Sequence, residues 1–418
     1  MLLFVDNDFG TFQWHRMALA RAARDVGFEV HVATPADSET ASLAKEGFIF
    51  HPIPLTRRGI NPFREVLTVL ALYRLYRRLK PDLIHHLRLK PVLYGTLAAR
   101  LAGRLAVANS LTGLGYVFVA TDGMAAVLRR ITELGLRVAL RHRNSTVIFE
   151  NPDDRRTFVD SGLVSERRTT VVAGSGVDVD FFQETPFASG TPLVILASRM
   201  LWDKGVGEFV EAARLLTTRG IGARFALVGD TDAGNPSAVS REQLQKWHDE
   251  GVIEWWGWRK DIQDVLGQSD VVCLPSSYGE GIPRILIEAA SCGRPLVATD
   301  APGCREIVRD GVNGILVPVK DAKSLANALH KLLIDEDLRM RMGANGRKLV
   351  LSGFSLKQVL VSNLAVYEDL LSSTGPGGPT RQTELINLLT AVSGSPAGSG
   401  EGCAPSLFNP DSKRLEVR

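Results

Sequence analysis

Short apolar runs alternate with amphipathic stretches along most of this chain, and the alternation runs through twice. A strand that is apolar on both faces needs helices on both sides, so the pattern predicts parallel sheets wound with helices. In the first series, strands are expected at Leu2 to Val5, Glu29 to Ala33, Phe48 to Pro52, Asp82 to His86, Leu105 to Asn109 and Thr146 to Phe149. Helices are expected between them near 12–26, 63–80, 91–102 and 123–142. The second series restarts at Leu193 to Ala197 and continues through Arg224 to Val228, Val252 to Trp255, Val271 to Leu274, Leu296 to Thr299 and Gly314 to Pro318. Gly174, Ser175 and Gly176 stand between the series with the glycine density of a hinge. At 418 residues the chain exceeds what one core serves, so two domains are expected, at 1–173 and 174–355. A helix over 356–372 is expected to pack back on the first domain, and the Gly/Pro/Ser-rich tail over 373–418 to be flexible. The expected ligand site is a crevice between the two domains.

Composition narrows the setting. Cys273, Cys292, Cys304 and Cys403 show no C-x-x-C spacing, which argues against a zinc site or a disulfide framework and for a reducing cytosol. The opening Met1 to Val5 meets Asp6 and Asp8 at once, so it reads as a first strand and not as a signal peptide. No apolar run approaches the roughly 18 residues of a membrane span. A net charge of +3 is too small to imply nucleic acid.

The chemistry concentrates in Pro275 to Glu288, where Glu280 and Glu288 flank Gly281, Ile282 and Pro283 just after an apolar strand. Proline favours the first position of a helix, so a helix is expected to start at Pro283, with Glu288 two turns in. In an open α/β sheet, ligands lie beyond the carboxyl ends of the strands, so both glutamates would border the ligand, and the helix start would favour a phosphate. Arg199 and Lys204 follow the first strand of the second series on the same edge, where two cations can clamp a diphosphate leaving group. Paired carboxylates alone would also suit glycoside hydrolysis, but a hydrolase has no need of the cation pair.

Arg199, Lys204 and Gly205, the Glu280-Gly281-Ile282-Pro283 turn, Glu288-Ala289, the run Gly293 to Ala298 and Gly303-Cys304-Arg305-Glu306 together resemble the retaining, metal-independent glycosyltransferases of the family-four type. The resemblance covers about residues 1–372 and implies the GT-B architecture, two doubly wound Rossmann-like α/β domains facing across a crevice. It implies that Arg199 and Lys204 bind the donor diphosphate, Glu288 the ribose hydroxyls and Glu280 the transferred sugar, with backbone groups of Gly281 and Ile282 adding contacts. No cofactor or metal is implied. In the first half, Gly10 keeps a glycine of the family's donor-phosphate loop, but Thr11 replaces the second one, and His15 and Arg16 are acceptor-side candidates. His85 and His86 end a strand as the family's sugar-facing histidine does; His86 is the catalytic candidate and His85 the acceptor-side one. Gly113 and Tyr116 lie on a loop that could meet an acceptor.

Two stretches, 65–80 and 124–143, combine apolar residues with Arg74, Arg77, Arg78 and Lys80, and with Arg129, Arg130, Arg137, Arg141 and Arg143. Such basic amphipathic helices suit an anionic membrane surface. Around Gly10 to Arg16, Lys90 to Gly95 and Leu111 to Phe118 the chain is also similar to bacterial enzymes that extend undecaprenyl-diphosphate-linked sugars. This implies a peripheral enzyme on the cytoplasmic face of the inner membrane, adding a hexose or N-acetylhexosamine from a UDP donor during surface glycan biosynthesis. A soluble acceptor, a nucleotide-sugar 2-epimerase and a non-catalytic nucleotide-sugar-binding protein are the competing readings.

Overall fold

In the computed structural model, which describes residues 1–37, 39–56, 61–103, 105–113, 123–232 and 234–372, the chain divides into two units between Ser175 and Gly176. The first unit regains the chain at Lys357. The expected tail over 373–418 lies outside the described residues.

The first unit holds a sheet of β1 (Leu2–Val5), β2 (Val30–Thr34), β3 (Ile49–Pro52), β4 (Leu83–Leu87), β5 (Ala106–Leu111), β6 (Ser145–Phe149) and β7 (Thr169–Val171). All are parallel, in the order β3-β2-β1-β4-β5-β6-β7. The two-residue period of a strand decides what covers it. Leu2 and Phe4 turn to one face, against Phe12 and Tyr367; Leu3 and Val5 turn to the other, against Leu72 and Tyr76. Each such burial contributes roughly 1.5–3 kcal/mol, which is why β1 tolerates no polar residue on either face.

The helices start where their caps are. Asn61 Oδ1 accepts from Phe63 N before Pro62–Leu79, and Asn151 Oδ1 accepts from Asp154 N before Pro152–Asp160. One long helix was expected near 12–26; the structure breaks it at Arg16, whose φ of −130° and ψ of −8° leave Phe9–His15 and Met17–Asp25 as separate helices.

The second unit repeats the design with β8 (Leu193–Ala197), β9 (Arg224–Val228), β10 (Glu254–Gly257), β11 (Val271–Leu274), β12 (Leu296–Thr299) and β13 (Gly314–Val317), parallel in the order β10-β9-β8-β11-β12-β13. Chain order reverses between β1 and β4 in one sheet and between β8 and β11 in the other. Those are the topological switch points at which open α/β sheets bind ligands.

Candidate functional site

At the switch point of the second sheet, Ser198-Arg199 and Pro275-Ser276 leave neighbouring strands at the carboxyl edge. A short 3-10 turn, Trp202–Lys204, then carries the chain to Gly205 at φ 75°. A Cβ there would come within 2.1 Å of the Pro275 carbonyl oxygen, so only glycine lets the two segments meet. Ser277 N donates to the Asp203 carbonyl at 2.8 Å and seals the contact.

This brings Lys204 to Glu280. The lysine is 8 % exposed, its ammonium pairs directly with one Glu280 oxygen, and Ser276 Oγ donates to the other at 2.7 Å. Burial works against the ammonium charge, but Glu280 and Tyr278 outweigh it and hold Lys204 above the usual lysine value. Lys204 also lies 5.7 Å over the Tyr278 ring. Arg199 donates to Asp232 at 2.9 Å. Both cations of the expected clamp therefore rest on carboxylates, and an incoming diphosphate would have to compete with Glu280 and Asp232 for them.

The helix after the turn is Arg284–Ser291, so Pro283 is its capping residue (φ −61°, ψ 114°) and not its first turn. Glu288 is the fifth residue of this helix, so it sits one turn in and not the expected two. It is 3 % exposed, accepts from Arg284 Nε at 2.7 Å through Oε1, and has no hydrogen-bond partner at the buried Oε2. Burial raises its carboxyl above the ordinary glutamate value despite the Arg284 charge. A buried carboxylate oxygen without a donor is costly, and a hydroxyl from a ligand would satisfy it. Gly281, Ile282 and Pro283 are buried beside it. Gly303, at φ 83°, backs this turn: a Cβ there would stand 1.7 Å from the Gly281 oxygen. Sequence reasoning missed Ser276, Tyr278, Asp232 and Arg284 as partners in this cluster; no motif singles out residues whose role is to hold another side chain.

In the first unit the histidines require a correction. β4 runs to Leu87, one residue past its expected end, so His85 and His86 lie inside the strand and each turns into a core face. His85 bonds Tyr367 Oη at 2.6 Å and Ser110 Oγ at 2.7 Å; His86 bonds Asn109 Oδ1 at 2.8 Å and Tyr76 Oη at 2.9 Å. Both are fully buried, and burial depresses His86 to about 4 and His85 well below its usual value. Neutral rings with both nitrogens engaged are structural hubs, so neither is presented to a ligand as expected. Arg16 is likewise 5 % exposed and tied to Glu150 at 3.1 Å. Gly10 is the second residue of a regular helix, and His15 ends it with Nδ1 3.4 Å from Ser175 Oγ. Gly113 adopts φ 107°; Tyr116 lies outside the described residues. The residue that does reach the edge after β4 is Arg88, beside Asp6 and Asn7 from the end of β1.

Among the described residues, no group of three or more His, Cys, Asp or Glu side chains is placed to hold a metal ion, and no helix is long and apolar enough to cross a membrane.

Comparison with known proteins divides the chain as the fold does. Residues 1–151 match the family described as glycosyl transferase 4-like, and residues 178–349 match glycosyl transferases group 1. A Campylobacter jejuni enzyme, N,N'-diacetylbacillosaminyl-diphospho-undecaprenol alpha-1,3-N-acetylgalactosaminyltransferase, is 29 % identical over 79 % of this chain and 88 % of its own length. The Escherichia coli UDP-Gal:alpha-D-GlcNAc-diphosphoundecaprenol alpha-1,3-galactosyltransferase is 24 % identical over 76 % of this chain and 83 % of its own. Among solved structures, Anabaena HepE in complex with UDP superposes with a TM-score of 0.71 at 21 % identity, covering 88 % of this chain and 99 % of that one. At that identity the likeness speaks for the fold.

Proposed function

We propose, for a chain that belongs to the GT-B glycosyltransferases of the family-four type, that it transfers a hexose or N-acetylhexosamine from a UDP-sugar to a polyprenyl-diphosphate-linked saccharide, with retention at the sugar carbon and without a metal ion. The single observation that carries the donor half is the cluster Arg199, Lys204, Glu280 and Glu288 at the switch point of the second sheet. In this reading Lys204 and Arg199 take the diphosphate, whose developing charge is met by two cations and by the amide groups that open Arg284–Ser291. Glu288 Oε2 accepts from a ribose hydroxyl, and Glu280, tethered by Ser276, orients the transferred sugar. The bond from the sugar carbon to the diphosphate breaks and the acceptor oxygen bonds to the same face, its proton passing to the departing phosphate.

The lipid-linked acceptor is supported by the two relatives, whose names specify diphospho-undecaprenol substrates. The test is to incubate the protein with a panel of UDP-sugars and a bacterial lipid extract in chelator and identify products by mass. A new saccharide on a polyprenyl diphosphate is expected; transfer only to soluble acceptors, epimerisation without transfer, or activity restored only by divalent metal would each defeat the corresponding part.

We also propose that the protein sits peripherally on the cytoplasmic face of the inner membrane, on an anionic surface. The support is an exposed apolar stripe on each basic helix. Phe63, Val66, Leu67 and Leu70 stand on Pro62–Leu79, and Val127, Ile131, Leu134 and Val138 on Gly123–Ala139. Both helices pack beside Leu89–Ala102. Exposed apolar stripes flanked by arginine suit insertion at the headgroup boundary. Phe63→Asp together with Ile131→Asp, both solvent-facing, is expected to abolish co-sedimentation with phosphatidylglycerol vesicles, while unchanged sedimentation would reduce these stripes to ordinary surface.

A further inference from the structure

Among the described residues three non-glycines have positive φ: Lys80, Arg88 and Lys320. Lys80, with φ 49° and ψ 54°, closes a helix in the left-handed geometry common at such ends. Arg88 is different in kind. Its φ of 74° and ψ of 169° fall in a region populated almost entirely by glycine, and residues held there cluster at ligand sites. A fold needing only this backbone shape would be served best by glycine. An arginine that bears the strain must be there for its side chain.

That side chain is fixed at the switch point of the first sheet. Nη1 donates to Asn7 Oδ1 at 3.1 Å, and Nε lies 3.6 Å from Asp6 Oδ1. Asp6, 1 % exposed, is itself fixed by the Asn7 amide at 2.7 Å. Nη2 is buried and has no hydrogen-bond partner. A guanidinium face with two donor hydrogens is thus oriented and left unused.

A second source of donors adjoins Arg88 in the chain. Arg88 is the capping residue of Leu89–Ala102, with no side-chain hydrogen bond at the cap and no acidic residue in the first turn. The opening amides of Leu89 and Lys90, Pro91 having none, and the dipole of this long helix add to the positive charge of the guanidinium. The acceptors here, Asn7 Oδ1 and the Asp6 carboxylate, are taken up by Arg88 itself, so the hydrogens left on Nη2, with a positive helix end adjoining, suit an oxygen anion. Among the described residues Asp6 is the carboxylate held against Arg88, and burial, with the nearby Asp8 charge adding to it and the pull of Arg88 working against it, pushes its carboxyl up to about 6.

We propose that Arg88, held by Asp6 and Asn7 over the amino end of Leu89–Ala102, binds the diphosphate of the lipid-linked acceptor. The proposal rests on the acceptor class put forward above, and its test is separable from that reading. Farnesyl diphosphate is titrated calorimetrically into the full chain in excess UDP, with farnesol as the neutral control. The wild type is expected to bind farnesyl diphosphate and not farnesol, and Arg88→Ala to weaken that binding about tenfold or more without changing UDP affinity. Arg88→Gly distinguishes function from structure: both variants leave Asp6 without its arginine partner, but only glycine relieves the backbone, so Arg88→Gly is expected to lose binding equally while melting above Arg88→Ala.

Equal affinity in wild type and Arg88→Ala, no binding by the wild type, or equal binding of farnesol would overturn the proposal. So would intact binding in Arg88→Gly. Transfer to a polyprenyl-linked saccharide, read by mass, decides the acceptor class independently: transfer by the wild type together with unchanged farnesyl diphosphate affinity in Arg88→Ala sinks the proposal alone.

Discussion

Lys204→Met lowers kcat/KM for UDP-sugar transfer by about 100-fold or more and weakens UDP binding about tenfold. The first figure is the usual loss when one preorganised donor to a developing oxyanion is removed. Methionine keeps the apolar stem, so the loss reports the ammonium. Stability falls too, because Glu280 keeps a carboxylate within a cluster where Lys204 is 8 % exposed, and breaking such a pair typically costs more than the pair contributes. Adding Glu280→Gln to Lys204→Met should therefore restore the melting temperature while leaving transfer abolished. If the double variant regained activity, or Lys204→Met transferred at the wild-type rate, the lysine would be a structural partner of Glu280 and no diphosphate ligand. Glu288→Gln in the same assays separates the two ends of the donor. It replaces one possible acceptor of a ribose hydroxyl with an amide and should raise the UDP dissociation constant with little change in kcat; an unchanged constant would remove Glu288 from the ribose.

How much of this was legible depends on whether the deciding interaction is local. β1, β8, β9, β11 and β12 fall at their expected residues because an apolar run buried on both faces has one reading. Thr169–Val171 was not foreseen: three residues, all partly exposed or exposed, carry no period. Pro152–Asp160 was missed because its sequence, PDDRRTFVD, is too polar to show an apolar face, although Asn151 caps it.

On the candidate site, residue types at fixed spacing located Arg199, Lys204, Glu280 and Glu288 on one sheet edge. That the lysine would pair with the glutamate was not legible, since their contact bridges 76 positions and depends on Gly205 admitting the Pro275 carbonyl. The histidine error has the same root. One residue of strand length decides whether position 86 or position 88 reaches the edge, and the pull that settles it comes from Tyr76, Asn109, Ser110 and Tyr367, all on other elements. The apolar stripes of Pro62–Leu79 and Gly123–Ala139 show the converse: their period says amphipathic helix, but only the packed structure says which residues remain outside.

Gly303→Ala tests whether the donor turn is built from behind. At Gly303 φ is 83°, and a Cβ would lie 1.7 Å from the Gly281 oxygen and 2.7 Å from the Glu280 oxygen. Both neighbours are backbone, so no side chain can swing aside; either the 280–283 segment or the start of Cys304–Ile307 must move. Displacing the segment carries Glu280 away from Lys204 and shifts the cap of Arg284–Ser291, so UDP affinity should fall about tenfold or more and transfer with it. Alanine at positive φ adds a backbone cost of its own, about 1 kcal/mol. Gly311→Ala supplies the control, because Gly311 has φ 71° and nothing within 4 Å of its added Cβ. It incurs the same conformational cost with no collision, and it should melt slightly lower while binding UDP normally. The difference between the two variants isolates the collision. Equal UDP affinity in both would mean that the turn tolerates a shift of more than an ångström, and the close backing by Gly303 would then have no part in shaping the donor site.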